Sequence, residues 1–269
     1  MDEPKDGYDL QTLTTTTEMA AVAAFAYIGP DGYPRLIPVT PLLLDGDPAF
    51  TFTYALSDTA REISGSPGSA LVFSDSRLAY VGWSPLSVGV EVEVFPDSEG
   101  ELFREALLTQ EVRKFPPARQ LIDSPLLQRE NWWYLPRWIV RVVDAGEPRP
   151  VGRRAAPDHG VLAYESGGVL AADTVQAAGR DAERIPVRML PEGGSPPEGP
   201  ATLMLQDFAV PDMDPRTTFL ATGRLENGRL LVDRCSGSPE IGGRPGLVAR
   251  WREQRDLARR CKAGLREHA

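Results

Sequence analysis

The chain has 269 residues, 42% of them hydrophobic and 25% charged, which suits one large or two ordinary globular domains. A net charge of −9 and a pI near 4.9 weigh against nucleic acid or a membrane as the main partner, because both are bound through basic footprints. The only histidines, His159 and His268, and the only cysteines, Cys235 and Cys261, exclude a histidine-rich metal centre, a zinc site and a disulfide framework.

A Ser/His/Asp triad could draw only on His159, since His268 lies next to the last residue, where a chain is expected to fray, and the same scarcity weighs against histidine-ligated haem. The opening segment MDEPKDGYDLQTLTTTTEM has neither the basic start nor the apolar run of a signal peptide, and no stretch reaches the length of a membrane span. The expected location is therefore the cytoplasm.

From Met19 to Ile28 the sequence MAAVAAFAYI reads as a short helix running into a strand, and Pro30-Asp31-Gly32 turns the chain back. Arg35 to Leu44 is extended, with Arg35 just inside an apolar run. Asp45-Gly46-Asp47 marks a second hairpin, and in AFTFTY the phenylalanines Phe50 and Phe52 alternate with Thr51 and Thr53. These three segments read as a meander.

A short helix follows, with Thr59 and Glu62 in capping-box spacing and Gly65 and Pro67 as its stop. Ala70 to Asp75 and Val88 to Asp97 read as strands, the second alternating valines with Glu91 and Glu93. Glu99 to Phe115 reads as a helix, ended by Pro116-Pro117, and NWWYLPRWIVRVVD as a closing strand. Ala145 to Asp158 has the Pro/Gly/Arg composition of a linker, which divides the chain into domains 1–150 and 151–269.

Beyond the linker the order of elements returns weakly. VLAYESGGVLAAD matches the first hairpin, GPATLMLQDF matches GSALVFSDSR, ATGRLENGRLLVD matches SVGVEVEVFPD, and a helix from Leu247 to Leu265 takes the place of the Glu99 to Phe115 helix. Two readings stand: a degenerate second copy of the first domain, or an unrelated α+β domain.

A meander, a short helix, further strands and a helix across one edge suggest a small antiparallel barrel, so the fold class is mainly β with flanking helices. In the order of its pieces, DGYPRLIPVTPLLLDGDPAFTFTYALSDTAREISGSPGSALVFSD together with VGVEVEV resembles the FMN-binding split barrel of the pyridoxamine 5'-phosphate oxidase-like superfamily. The resemblance covers roughly residues 19–143 and implies a split β-barrel, duplicated in tandem if the second half is a copy.

By position it also implies that a flavin phosphate would be held by Arg35, by the hydroxyls of Thr53 and Ser57, and by Arg61, with Trp132 and Arg137 brought back towards the flavin ring. The chemistry is sound in itself, because a phosphate dianion suits guanidinium forks, hydroxyl donors and a helix start. Val169 stands where a second copy would need an arginine.

No residue is marked as acid, base or nucleophile. The function implied is hydride transfer between FMN, or a deazaflavin, and a small organic substrate, by a homodimer. The alternative is a non-catalytic split barrel that binds flavin, haem or another tetrapyrrole.

Overall fold

Every position from Ala20 to Ala26 is apolar, and the structure supplies the reason: the strand that forms there is covered on both faces. The computed structural model describes residues 7–75, 77, 79, 82–178, 183–190, 194–214, 216–238 and 246–268. In it β1 (Ala23–Ile28) turns Phe25 and Tyr27 into one core and Ala24 and Ala26 into another, which removes the alternation a half-buried strand would show. The helix expected at Met19 lies upstream instead, as α1 (Gly7–Met19), running through Thr14–Thr17. Threonine is a weak helix former, but Leu13, Thr16 and Thr17 are buried, so packing decides the conformation.

β1 pairs with β2 (Pro34–Val39) across a turn in which Gly32 has φ of 77°. The extended segment expected over Arg35–Leu44 is in fact two strands. The chain leaves β2 at Val39, passes Thr40-Pro41, and begins β3 (Leu42–Leu44), which pairs with β4 (Asp47–Thr53). A one-turn 3-10 helix (Tyr54–Leu56) leads into α2 (Ser57–Ser64), and β5 (Ser69–Phe73), β6 (Leu86–Asp97) and β7 (Arg137–Ala145) complete the sheet.

The strand order is β2-β1-β5-β6-β7-β4-β3. No meander forms, because β2 and β3 are consecutive in the chain yet lie at opposite ends of the sheet, and that gap is the split in the barrel. Proline at positions 38 and 41 helps to end the pairing, having no N–H to give. Between β6 and β7 run a π-helical turn (Phe103–Leu107), α3 (Leu108–Lys114), α4 (Arg119–Ile122), α5 (Pro125–Glu130) and a 3-10 turn (Trp132–Tyr134).

The short β8 (Arg149–Pro150) adds to β6, after which six strands close a second barrel: β9 (His159–Ser166), β10 (Val169–Ala177), β11 (Arg184–Met189), β12 (Gly199–Phe208), β13 (Arg216–Glu226) and β14 (Arg229–Gly237). Its order is β10-β9-β12-β13-β14-β11, closing back on β10. Place for place this repeats β2-β1-β5-β6-β7-β4, with β3 and the short β8 lacking counterparts. The last helix, α6 (Leu247–His268), breaks the correspondence: it packs on the first barrel, where Cys261 joins Phe103, Leu107 and Ile139 in one core cluster.

The barrels meet through small side chains. Ala24, Ala26, Ala70 and Val72 of the first pack against Val161, Ala163, Ala172 and Met204 of the second. Residues adjacent to these point the other way, Leu71 and Phe73 into the first interior and Leu162, Leu203 and Leu205 into the second. Polar bonds register the seam: Thr202 Oγ1 donates to the Pro34 carbonyl at 2.6 Å and Ser87 Oγ to the Ala172 carbonyl at 2.6 Å.

The segment with linker composition is also built in. Val151 is buried in the seam, Arg149 pairs with Asp173 at 2.6 Å, and buried Arg154 pairs with buried Asp75 at 2.8 Å. Burial alone would raise the Asp75 carboxyl, but the guanidinium groups of Arg77 and Arg154 hold it below the usual carboxylate range. No helix among the described residues is long and apolar enough to cross a membrane.

Candidate functional site

The turn between β4 and α2 gathers the densest set of candidate groups. Ser57, the first residue of α2, is buried; its Oγ donates to the Tyr54 carbonyl at 2.9 Å and accepts from Trp138 Nε1 at 3.0 Å. The Trp138 ring lies 5.5 Å from that of Tyr54 and, edge-on, 5.7 Å from that of His268.

Helix α6 covers this turn. A Cβ at Gly264 would land inside contact distance of the Tyr54 carbonyl oxygen and 3.1 Å from Ser57 Oγ, so glycine is what lets the helix sit there. Tyr54 Oη, and His268 Nε2 at the end of α6 itself, are buried without a hydrogen-bond partner. Burial raises the Tyr54 hydroxyl above its ordinary pKa, reinforced by the charges of Asp97 and Glu99. His268 is therefore not a frayed terminal residue. The spacing of Leu257, Cys261, Leu265 and His268 is that of one helical face, and this signal was present in the sequence.

Arg35 sits elsewhere on the same barrel. It stands opposite Tyr27 in the β1–β2 register, on the side that faces the first interior. Its guanidinium pairs with Asp31 at 3.0 Å, and Asp31 also accepts from Arg234 of β14 at 2.8 Å, so the hairpin turn is tied to the second barrel. The Asp31 carboxyl is held low: slight burial opposes this, but the bonds from Arg234 and the Tyr33 N–H and the charge of Arg35 outweigh it. Arg35 Nε is buried and unpartnered.

Tyr27 Oη donates to Glu62 at 3.0 Å, and burial and that carboxylate push its hydroxyl pKa up. Arg61, one residue before Glu62, turns outward and pairs with Asp58 on the exposed side of α2. Arg35 and Arg61 thus have separate carboxylate partners and share none.

Of the remaining predicted residues, two are neighbours across paired strands. Thr53 ends β4, half-buried, opposite Arg137 in the register. Arg137 is 1% exposed, with its guanidinium 4.0 Å from the ring centroids of both Phe103 and Tyr134. It donates to Glu111 Oε1 at 3.4 Å, and Tyr134 Oη donates to the same oxygen at 2.6 Å. Arg137 is therefore held in the interior by these contacts.

Trp132 is 51% exposed on the outer surface, with Lys262 Nζ 5.7 Å above its ring. Val169 is exposed beside the Gly167-Gly168 turn. His159 Nδ1 accepts the Ala155 N–H at 3.2 Å. Among the described residues no cluster of His, Cys, Asp and Glu could hold a metal ion.

No family model and no curated protein matches the chain. Solved structures to which it is similar include a heme binding protein from Mycobacterium smegmatis, at 15% identity over 98% of this chain and 100% of that one, with a TM-score of 0.35. A protein of unknown function from Agrobacterium tumefaciens, Atu2129, shares 16% identity over 58% of this chain, which spans 61% of that one, with a TM-score of 0.36. A third, from Clostridium acetobutylicum, is described as related to general stress protein 26, of the pyridoxinephosphate oxidase family. It matches at 13% identity over 61% of this chain and 92% of that one, with a TM-score of 0.31.

Proposed function

We propose that this chain is a ligand-binding split-barrel protein that takes a haem or related tetrapyrrole at the β4–α2 turn beneath α6. One observation carries the reading: the polar atoms left over at that turn suit iron and do not suit phosphate. A phosphate dianion needs donors, but the single Ser57 proton is already given to the Tyr54 carbonyl, and Arg61 is turned to the surface. Imidazole and phenol oxygen are iron ligands, and His268 Nε2 and Tyr54 Oη are the two groups there without partners.

His268 would hold the iron, Tyr54 would be the second polar contact, and Trp138 would bound the macrocycle, with the last turn of α6 lifting to admit it. The bound group would supply a coordinated iron and its visible absorption. The chain's own part is to position the ligands and to exclude water.

The second reading is a flavin oxidoreductase on FMN or a deazaflavin, acting on a small organic substrate. The buried, unpartnered Nε of Arg35 favours it, since one exposed carboxylate is all that a phosphate would have to displace there. Titration of the purified protein with hemin, FMN and a deazaflavin separates the two. The proposal expects a sharp Soret band with hemin that is lost in His268→Ala, and flavins that wash out on gel filtration. A protein that retains FMN, loses it in Arg35→Ala and gives no Soret band overturns the proposal in favour of the second reading.

A further inference from the structure

We propose that the outer face of α6 is a docking surface for an anionic phospholipid bilayer. The surface is independent of the site under the helix. Along α6, Arg250, Arg252, Arg255, Arg259, Arg260, Lys262 and Arg266 stand against Glu253, Asp256 and Glu267, a net of +4. The whole chain carries −9, so everything outside this helix sums to −13. Whole-chain charge, which argued against a membrane partner, conceals a segregation of charge onto one element.

At 100° per residue Trp251, Arg255, Lys262 and Arg266 form a single stripe, with Val248, Arg252 and Arg259 beside it. Leu257, Cys261, Gly264 and Leu265 turn the opposite way, into the first barrel or against the Tyr54–Ser57 turn. All seven outward residues are exposed; Glu253 and Glu267 fall outside the stripe, and Asp256 at its edge pairs with Arg259 and Arg260. The stripe runs about 22 Å from Trp251 to Arg266, long enough to meet several lipid headgroups.

Apolar groups are interleaved with these cations. Trp251 is 55% exposed under Arg255, and Trp132 is 51% exposed under Lys262. Val248 and Leu126 nearby in α6 and α5 are also among the exposed large apolar side chains. Exposed tryptophan among lysine and arginine is the composition of an interfacial membrane contact, where the indole sits at headgroup level and the cations meet anionic lipid. A nucleic acid would be bound more readily in a concave basic channel than along one exposed helix face. A bilayer meets only this face, and at physiological ionic strength charges more than about 8 Å away are largely screened.

The test is flotation of the full chain with vesicles of phosphatidylcholine, with and without phosphatidylglycerol, at low and at high salt. The proposal expects binding only to the anionic vesicles, reversed by salt. It also expects the tryptophan emission to shift to the blue and to be quenched by brominated lipid. Each cation brought to an anionic leaflet is worth about a fivefold gain in partition, so Arg255→Gln with Lys262→Gln should cost about 25-fold.

The pair Arg252→Gln with Arg259→Gln, which leaves both ring contacts intact, gives a second reading, and unchanged circular dichroism verifies folding in each. Absence of binding to the anionic vesicles at low salt overturns the proposal. So does binding that both double variants retain in full, or equal capture of RNA or of a second copy of the chain under conditions where vesicles are ignored.

Discussion

Replacing Gly264 with alanine sets two effects of known sign against each other. In a helix interior alanine is intrinsically better than glycine by about 1 kcal/mol, so on local grounds the variant should be more stable. Against this, the new methyl would meet the Tyr54 carbonyl oxygen inside contact distance and Ser57 Oγ at 3.1 Å, and both belong to a turn anchored by β4 and by the Trp138 hydrogen bond. Neither can withdraw cheaply, so α6 must shift.

Overpacking of this kind costs about 1–3 kcal/mol, and the shift also loosens Cys261 and Leu257 from the cluster around Phe103 and Leu107. With the lost packing added the clash outweighs the propensity, for a net loss of up to about 2 kcal/mol, or a fall in Tm of up to about 8 °C in a chain of this size. Thermal unfolding followed by far-ultraviolet circular dichroism measures it, with tryptophan fluorescence reporting on Trp138. A variant with Tm equal to or above that of the parent would falsify the close approach of α6 to this turn.

Lys114 provides a prediction in pH. Its ammonium is buried and donates to the carbonyls of Thr17 at 2.5 Å and Pro41 at 2.8 Å, and burial, with Arg113 nearby, lowers its pKa to about 8. The unfolded chain binds that proton up to the ordinary lysine range, so between pH 8 and 10 the unfolded state holds more protons and stability should rise by about 2 kcal/mol. Chemical denaturation across that window checks it, and Lys114→Met should flatten the rise.

Glu111→Ala leaves the Arg137 guanidinium buried without its carboxylate and should cost about 3–5 kcal/mol in urea unfolding. A cost below 1 kcal/mol would mean that Arg137 finds another acceptor. At the seam, Ala26→Leu has no room between Ala70 and the second barrel and should destabilise by about 1–3 kcal/mol, whereas the same change at exposed Ala263 should be close to neutral.

Much of the fold could be read from local chemistry. Asp45-Gly46 at positive φ made its hairpin and β6 followed its valine–glutamate alternation, while α2 stops at Gly65 as expected but already begins at Ser57, so that Thr59 lies inside it and its capping box does not form. What was hidden depended on partners distant in sequence. Ala24 and Ala26 gave no alternation because a second barrel covers them, and α1 exists because Leu13 and Thr17 are buried, against the preference of its threonines. The break at Thr40-Pro41 could not be told from a continuous strand, because only pairing with β4 moves Leu42–Leu44 to the far end of the sheet.

The candidate site was legible as a set of residue types and not as a place. Arg35, Ser57, Arg61 and Arg137 are all suited to an anion, yet each has acquired a partner that no spacing announces: Asp31, Tyr54 and Trp138, Asp58, and Glu111. Tyr54 and His268, whose Oη and Nε2 lack hydrogen-bond partners, both pack on Trp138, and His268 reaches it only because the last helix returns to the first barrel.

The way the two barrels are joined also sets a number. A symmetric pair of identical barrels offers every cleft twice, so two ligands per assembly, and coupling between them, are the natural outcome. Here α6 closes over the first barrel alone. The site proposed beneath it has no twin in the second barrel, so the proposal predicts one ligand per chain and a simple hyperbolic binding curve.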